Sequence, residues 1–306
     1  MQFSAISEIG KLETVLMHRP GQEILAVSPE NLAYYGFRAK PDLKGIQNEF
    51  DNFNDILKNE GIKVVLLNSL INESQLNTSL PNLYFTRDVL AVMDIGLIVM
   101  NMGIPGRLKE PFIVKQALQQ QIPIAVEISP PGQLEGGDFV FLDEHTLSIG
   151  YGPRTNFKGI AQLIRGLIKS QIDEVISVPL PPYLIHLDQV FSVVGSDQCI
   201  IHESSLVHGN ARIDQRGKVI EMPFLDYLKS KEFKIITVNK EDVIQFGANV
   251  CAIKPGKIIM YEWNTRIIKE LERHGIDVIP IQGAELVKGG GGPHCMTCPI
   301  LRGELK

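Results

Sequence analysis

The chain has 306 residues, 44% hydrophobic and 21% charged, with a mean hydropathy of +0.05, which is enough to bury a sizeable core in one large domain or two ordinary ones. A formal net charge of −5 speaks against a nucleic-acid partner or an anionic membrane surface, both of which favour a basic face. The opening residues lack a basic-then-apolar leader, no apolar run nears the roughly 20 residues of a membrane span, and the four cysteines at positions 199, 251, 295 and 298 are too few and too uneven for a disulfide framework. A protein of the reducing cytoplasm is expected.

Short β-branched runs alternate with helix-like stretches, the pattern of an α/β class. Leu12-Glu-Thr-Val-Leu-Met-His reads as an opening strand. Leu43 to Glu60 follows with apolar residues at 46, 50, 53, 56 and 57, the rhythm of an amphipathic helix. Asp88-Val-Leu-Ala-Val-Met-Asp-Ile-Gly-Leu-Ile-Val then reads as strand, tight turn and strand. So do Asp138-Phe-Val-Phe-Leu-Asp-Glu-His-Thr-Leu-Ser-Ile, Asp188-Gln-Val-Phe-Ser-Val-Val-Gly-Ser-Asp-Gln-Cys-Ile-Ile and Asn249-Val-Cys-Ala-Ile-Lys-Pro-Gly-Lys-Ile-Ile-Met. Between them, Asn156 to Ser170 carries Ile160, Leu163, Ile164 and Leu167 in helical rhythm, and Asn264 to His274 is a helix stopped by Gly275.

Each of the four hairpins opens on an acid or amide, and these residues are separated by 50, 50 and 61 positions. A recurring period of this size fits stacked units around a common axis, with the hairpin mouths facing one centre. Four unrelated hairpins at an ordinary spacing would give the same intervals. A fifth, weaker copy starts at Leu12. No low-complexity linker interrupts the chain, so residues 1–306 are read as one domain.

The run Lys288-Gly-Gly-Gly-Gly-Pro-His-Cys-Met-Thr-Cys-Pro is the most unusual in the chain. Four successive glycines carry no core side chain and are entropically costly, so they make sense where backbone approaches a ligand or a loop moves. Cys295, directly after them, is a candidate nucleophile, because a partly exposed cysteine near a positive charge can reach the thiolate state. Other readings stand beside it. Cys295 and Cys298 with His294 form half a zinc site or a redox pair, although no second ligand pair occurs in the sequence. A phosphate loop is argued against by the missing Gly-Lys-Ser/Thr, and a flexible structural tail would need no chemistry at all.

His186-Leu-Asp188 puts two polar side chains on one face of a strand, since alternate residues share a face; a lone histidine there could equally be structural. Glu135-Gly-Gly-Asp138 adds carboxylates at the second mouth, and Asp88 another at the first. These are either solvated strand ends or the wall of an anionic pocket holding a histidine and a cysteine. Such a pocket would take a cation, and paired carboxylates hold a planar guanidinium bidentately.

Pro81-Asn-Leu-Tyr-Phe-Thr-Arg-Asp88, Glu135-Gly-Gly-Asp138, His186-Leu-Asp188 and Gly292-Pro-His-Cys295-Met resemble, in order, the four signature blocks of the arginine deiminases in the guanidino-modifying superfamily. The opening Ser7-Glu-Ile-Gly-Lys-Leu-Glu-Thr-Val-Leu-Met-His-Arg-Pro-Gly resembles their N-terminus. The resemblance implies a five-bladed α/β propeller of pseudo-repeats and a single catalytic domain. It implies that Cys295 attacks the guanidinium carbon, that His186 protonates the departing ammonia and later activates water, and that Asp88 and Asp188 bind the guanidinium nitrogens while Glu135 orients His186. A covalent thiouronium would then be hydrolysed to a ureido product, with no metal or organic cofactor. Asn82, Phe85 and Asp138 are expected at the substrate, with Arg107 and Arg154 on its carboxylate, each 19 residues beyond its block's acid.

The chain departs from that family in two ways. It is too short for the helical insertion that arginine deiminases carry between the first helix and Pro81. Five residues before the nucleophile, where the family has an arginine, stands Gly290, with Lys288 nearby, so one carboxylate contact is either missing or moved to the lysine. His294-Cys295-Met-Thr-Cys298 is also similar to the loop of amidinotransferases, which would pass the same amidino group to a small amine, and dimethylarginine hydrolases are further relatives. The expected partner is a small guanidino compound, with neither nucleic acid nor membrane, and a homo-oligomer is compatible with the sequence.

Overall fold

A computed structural model describes residues 1–71 and 80–305. Among the described residues the strands form five sheets, and one three-strand unit recurs in all of them: an antiparallel pair whose second strand runs parallel to a third. In the first, Leu90–Met93 pairs with Gly96–Val99, which pairs with Ile124–Glu127. Phe139–Phe141, Thr146–Tyr151 and Glu174–Pro179 form the second. Phe191–Gly195, Gln198–Ile201 and Lys234–Thr237 form the third, and Cys251–Lys254, Lys257–Tyr261 and Asp277–Ile281 the fourth. A parallel third strand requires a crossover, and each crossover carries a helix, such as Glu110–Leu118, Phe157–Gly166 and Thr265–Arg273.

The fifth unit corrects the sequence reading. Leu12–Met17 does not open a hairpin; it is the middle strand, antiparallel to Cys298–Arg302 and parallel to Lys63–Leu66. The first strand of this unit therefore comes from the other end of the chain. Ser4 N–H and Arg302 N–H strengthen the closure by donating to Ile300 O and Ser4 O.

The three expected helices are present, as Leu43–Asn59, Phe157–Gly166 and Thr265–Arg273. Asp42 and Asn156 cap the first two by accepting from the backbone N–H of Gly45 and Gly159 at 2.7 and 2.9 Å, the usual work of these residue types at a helix start. Gly275 ends the third in the left-handed region at φ 79°. One element escaped the sequence reading. Asn210–Gln215 and Lys218–Pro223 form a ribbon that widens the second sheet to five strands, turning at Arg216 and Gly217 with both φ positive, as a two-residue hairpin turn demands.

Every residue of Leu90–Met93, Phe139–Phe141 and Phe191–Gly195 is buried. Leu90–Met93 and Phe139–Phe141 accordingly read as continuous apolar runs, since a strand covered on both faces has no side that favours polar residues; the one polar side chain of the third, Ser192, donates to Ala248 O at 2.6 Å. The polar residues just before these strands are thus carried inward by fully buried strands. No helix among the described residues is long and apolar enough to cross a membrane.

Candidate active site

Three of the four repeated polar residues each lie in a single helical turn just before the first strand of their unit. Asp88 is in Thr86–Val89, Asp138 in Gly136–Asp138 and Asp188 in Leu187–Gln189. His186 and Asp188 are therefore brought together by a helical turn rather than by the strand alternation expected from the sequence. Asn249 precedes Cys251–Lys254, and Cys295 precedes Cys298–Arg302. The candidate nucleophile thus occupies, in the fifth unit, the place that an acid or amide takes in the other four.

The Cys295 thiol donates to Asp188 Oδ2 at 3.3 Å and receives the Asn249 Nδ2 amide at 3.1 Å. Its loop is locked to the first block: Arg87 N–H donates to Cys295 O at 3.1 Å, Arg87 Nε to Thr297 O at 2.9 Å and Thr86 Oγ1 to Met296 O at 3.2 Å. Burial and the negative charges of Asp188 and Asp88 push the thiol well above its ordinary pKa, while the Gly292 backbone and the Asn249 amide pull the other way. Cys298 sends its thiol elsewhere, to Leu90 O at 3.3 Å, and all four cysteines are free. The paired-thiol reading thus loses its geometry.

His186 Nε2 donates to Glu135 Oε2 at 2.8 Å, and its Nδ1 lies 3.8 Å from Asp88 Oδ1. Burial opposes a charged ring, yet Asp88, Glu135 and Asp138 together outweigh it and raise the pKa to about 9. Glu135 would be raised by its own burial; the His186 hydrogen bond and the charges of His186, Arg154 and Arg107 bring it down to about 2. Both glycines of Glu135-Gly-Gly-Asp138 are needed for close approach. A Cβ on Gly136 would sit 1.9 Å from Arg87 O, and one on Gly137 would sit 2.4 Å from His186 Nδ1. Gln189 Oε1 accepts from Ile185 N–H and His186 N–H at 2.9 and 3.3 Å, which fixes the histidine's backbone.

A narrow cleft of about 20 Å³ reaches this centre, lined by Asn82, Phe85, Asp88, Arg107, Arg154, His186, Gly289, Gly290, Gly291 and Cys295 among others. That is little more than one water requires. Glu135 and Asp188, fully buried, stand behind its wall. Three oxygens here, Asn82 Oδ1, Asp88 Oδ1 and Asp188 Oδ1, have no hydrogen-bond partner among the described residues. Buried polar atoms are ordinarily paired, so unpaired acceptors gathered around a cysteine and a histidine ask for a donor-rich, cationic ligand.

Several expected residues are placed differently from their anticipated roles. Arg107 lines the cleft but donates from Nη1 to Asp88 Oδ2 at 2.5 Å and from Nε to Glu110 Oε2 at 2.8 Å. Arg154 likewise sits on Glu135, at 3.1 Å. Asp138 does not reach the cleft: it accepts from Thr155 Oγ1 at 2.6 Å and from Leu187 N–H at 2.9 Å, holding the His186–Asp188 turn from behind. Lys288 gives its ammonium to Glu285 at 2.6 Å and is not among the lining residues, so it does not take over the arginine contact at Gly290. Asn249, now in direct contact with the thiol, was missed as a site residue. Its signal was its place at the fourth hairpin mouth.

A family model described as arginine deiminase matches residues 72–302. The chain belongs to the arginine deiminase family. The arginine deiminase of Listeria welshimeri is 31% identical, with 98% of each chain covered, and that of Bacillus cytotoxicus is 27% identical with the same coverage. The latter alignment runs over 403 positions against 306 residues here, so at least 97 of its positions have no counterpart in this member of the family. Residues 72–79, within the connection where the shortening is expected, lie outside the described residues. Solved structures share the fold at lower identity. DDAH from Pseudomonas aeruginosa, complexed with citrulline, is 19% identical with a TM-score of 0.72, covering 94% of this chain and 99% of that one. The N-terminal domain of ArgZ, a cyanobacterial arginine dihydrolase bound to its product, is 17% identical with a TM-score of 0.75, covering 97% and 100%. These neighbours establish the mixed-sheet α/β architecture of the amidinotransferase fold.

Proposed function

We propose that this chain hydrolyses the guanidino group of free L-arginine to L-citrulline and ammonia, with Cys295 as a covalent nucleophile. The observation that carries the reading is the placement of Cys295 against Asp188, with His186 held at Glu135 and the unpaired oxygens of Asp88 and Asp188 beside them. Membership of the arginine deiminase family supports it. The five mouth residues also support reading the five units as blades around one axis, and residues 1–306 as one catalytic domain. The unpaired, buried thiols suit a reducing cytoplasm.

A guanidinium entering the cleft supplies the charge the site lacks. Its N–H groups meet Asp88 and Asp188, so its carbon comes to rest beside Sγ, and its positive charge offsets the two acids that hold the thiol protonated. Asp88 must exchange Arg107 for the substrate, which frees that guanidinium, and Arg154 beside it, for an α-carboxylate; Asn82 Oδ1 is left to accept from the α-ammonium. Sulfur then bonds to the guanidinium carbon. One C–N bond breaks as the His186 imidazolium gives its proton to the departing ammonia, the thiol proton having passed to solvent when the guanidinium bound, and the thiouronium keeps the positive charge. In the second half His186, now neutral, takes a proton from water as its oxygen adds to the carbon. The C–S bond breaks, the ureido carbonyl forms and the thiol is restored.

Product analysis tests the reading. The purified protein is incubated with L-arginine, with and without glycine. Citrulline and ammonia in equal amounts, independent of glycine, are expected. Ornithine appearing only with glycine would replace hydrolysis by amidino transfer, and no turnover would refute both.

A further inference from the structure

Behind Asp188 lies a second histidine that the proposed reaction does not use. His294 is buried, and both its ring nitrogens meet carboxylates: Nδ1 is 2.8 Å from Asp188 Oδ2 and Nε2 is 3.2 Å from Glu8 Oε2. A neutral imidazole carries one N–H and one lone pair, so it would turn that lone pair toward one of the two anions. With both nitrogens protonated, each makes a charge-assisted hydrogen bond. The groups around the ring are Asp188, Glu8 and Arg87. Burial and the Arg87 charge disfavour the imidazolium, and the bonds to Asp188 and Glu8 outweigh them to raise its pKa.

Glu8 belongs to the segment before the first strand, where Ser7 Oγ accepts from Ile9 and Gly10 N–H to form a turn. Its other oxygen, Oε1, lies 3.6 Å from Arg87 Nη1 and accepts from Phe141 N–H at 3.3 Å. Arg87 in turn holds the Cys295 loop. A buried line therefore runs from Arg87 through Glu8 and His294 to Asp188, and ends where Asp188 Oδ2 meets the thiol. Asp188 Oδ2 is shared between His294 and Cys295, and only Oδ1 remains for a ligand.

We infer that Glu8 and His294 are positioning residues for the reaction: His294, held as an imidazolium between two carboxylates, keeps Asp188 ionised and fixed, with one oxygen turned to the thiol and the other to the guanidinium. The cation beside Asp188 makes it a weak base, so Asp188 does not retain the thiol proton and stays an anion for the substrate. This role rests on the reading of Cys295 as nucleophile and Asp188 as guanidinium ligand.

The test separates the pair from that reading. Protein labelled with 15N-histidine is titrated by NMR, and His294 is identified by loss of its signals in His294→Gln. In the unmutated protein both His294 nitrogens should be protonated at pH 7.5, a result that needs no turnover. In Glu8→Gln the His294 titration should move down by about one pH unit or more, and the alkaline limb of kcat/KM for arginine should move down with it. Glu8→Asp should recover most of the shift. A neutral His294 at pH 7.5 in the unmutated protein overturns the inference. So does a Glu8→Gln profile that loses height but keeps its shape. If Glu8→Gln does not fold, the unmutated titration and Glu8→Asp still decide. An imidazolium found in a protein without arginine turnover would overturn the functional reading and leave the paired geometry standing.

Discussion

Replacing Gly137 with alanine places a single methyl group against the catalytic histidine. Gly137 is not at positive φ, so the backbone accepts alanine and the effect is one of contact alone. The new Cβ would lie 2.4 Å from His186 Nδ1, 2.7 Å from Cγ and 3.1 Å from Cβ. Ordinary carbon contacts begin near 3.5 Å, so the ring has to retreat by about 1 Å. It has no room to do so freely. Its far nitrogen is 2.8 Å from Glu135, which is pinned in turn by Gly103 N–H at 2.6 Å and by Arg154. Overpacking of this kind costs about 1–3 kcal/mol of stability, and a displacement near 1 Å of a reacting group costs about 100-fold in rate. The assay is citrulline formation from L-arginine with a thermal melt on the same samples. Gly137→Ala should melt a few degrees lower and lose about two orders of magnitude in kcat/KM. Activity within twofold of the unmutated enzyme would show that His186 does not need the position seen here.

Three other outcomes are expected. His186 must be protonated to deliver a proton to the leaving nitrogen, and its pKa is raised to about 9, so kcat should be retained below that value and fall as pH rises through it; a fall centred near 6.5 would contradict the charged environment of the ring. Asn249→Ala removes the amide at 3.1 Å from Sγ and should slow alkylation of Cys295 and lower kcat/KM by about tenfold to a hundredfold, the value of one hydrogen bond to a charged group; an unchanged alkylation rate would remove Asn249 from the site. Arg154→Ala should raise KM for arginine by a similar factor while changing KM for agmatine, which lacks the carboxylate, much less. Equal losses on both would mean that Arg154 serves Glu135 alone.

The periodic part of this architecture was legible because it is local. A polar residue, an apolar run, a turn and a second apolar run leave the same trace wherever they occur, and the mouths at Asp88, Asp138, Asp188 and Asn249 could be found from that trace. The fifth unit could not, because its strands at Leu12–Met17 and Cys298–Arg302 lie at opposite ends of the chain and neither alone shows a hairpin. The ribbon at Asn210–Pro223 was hidden by its half-exposed strands, whose mixed polarity reads like loop. Residue identities pointed to Cys295, His186, Glu135, Asp88 and Asp188, but they could not say which partner each would take. Arg107 on Asp88 and Asp138 on Leu187 are long-range or backbone choices that charge and spacing leave open, and Lys288 on Glu285 is a local pair that competes with any contact at the site. The pairing of Glu8 with His294 spans 286 positions and depends on the same closure of the chain ends.

The account stands or falls on the bond between sulfur and the guanidinium carbon. Rapid quenching of the enzyme during turnover of L-arginine, followed by peptide mass spectrometry of the segment containing Cys295, tests it most directly. The account predicts a transient adduct on Cys295 with the mass of arginine less ammonia, absent in Cys295→Ser, which should form no citrulline while melting like the unmutated protein. Citrulline produced by Cys295→Ser at an undiminished rate, or an adduct found on another residue, would contradict it.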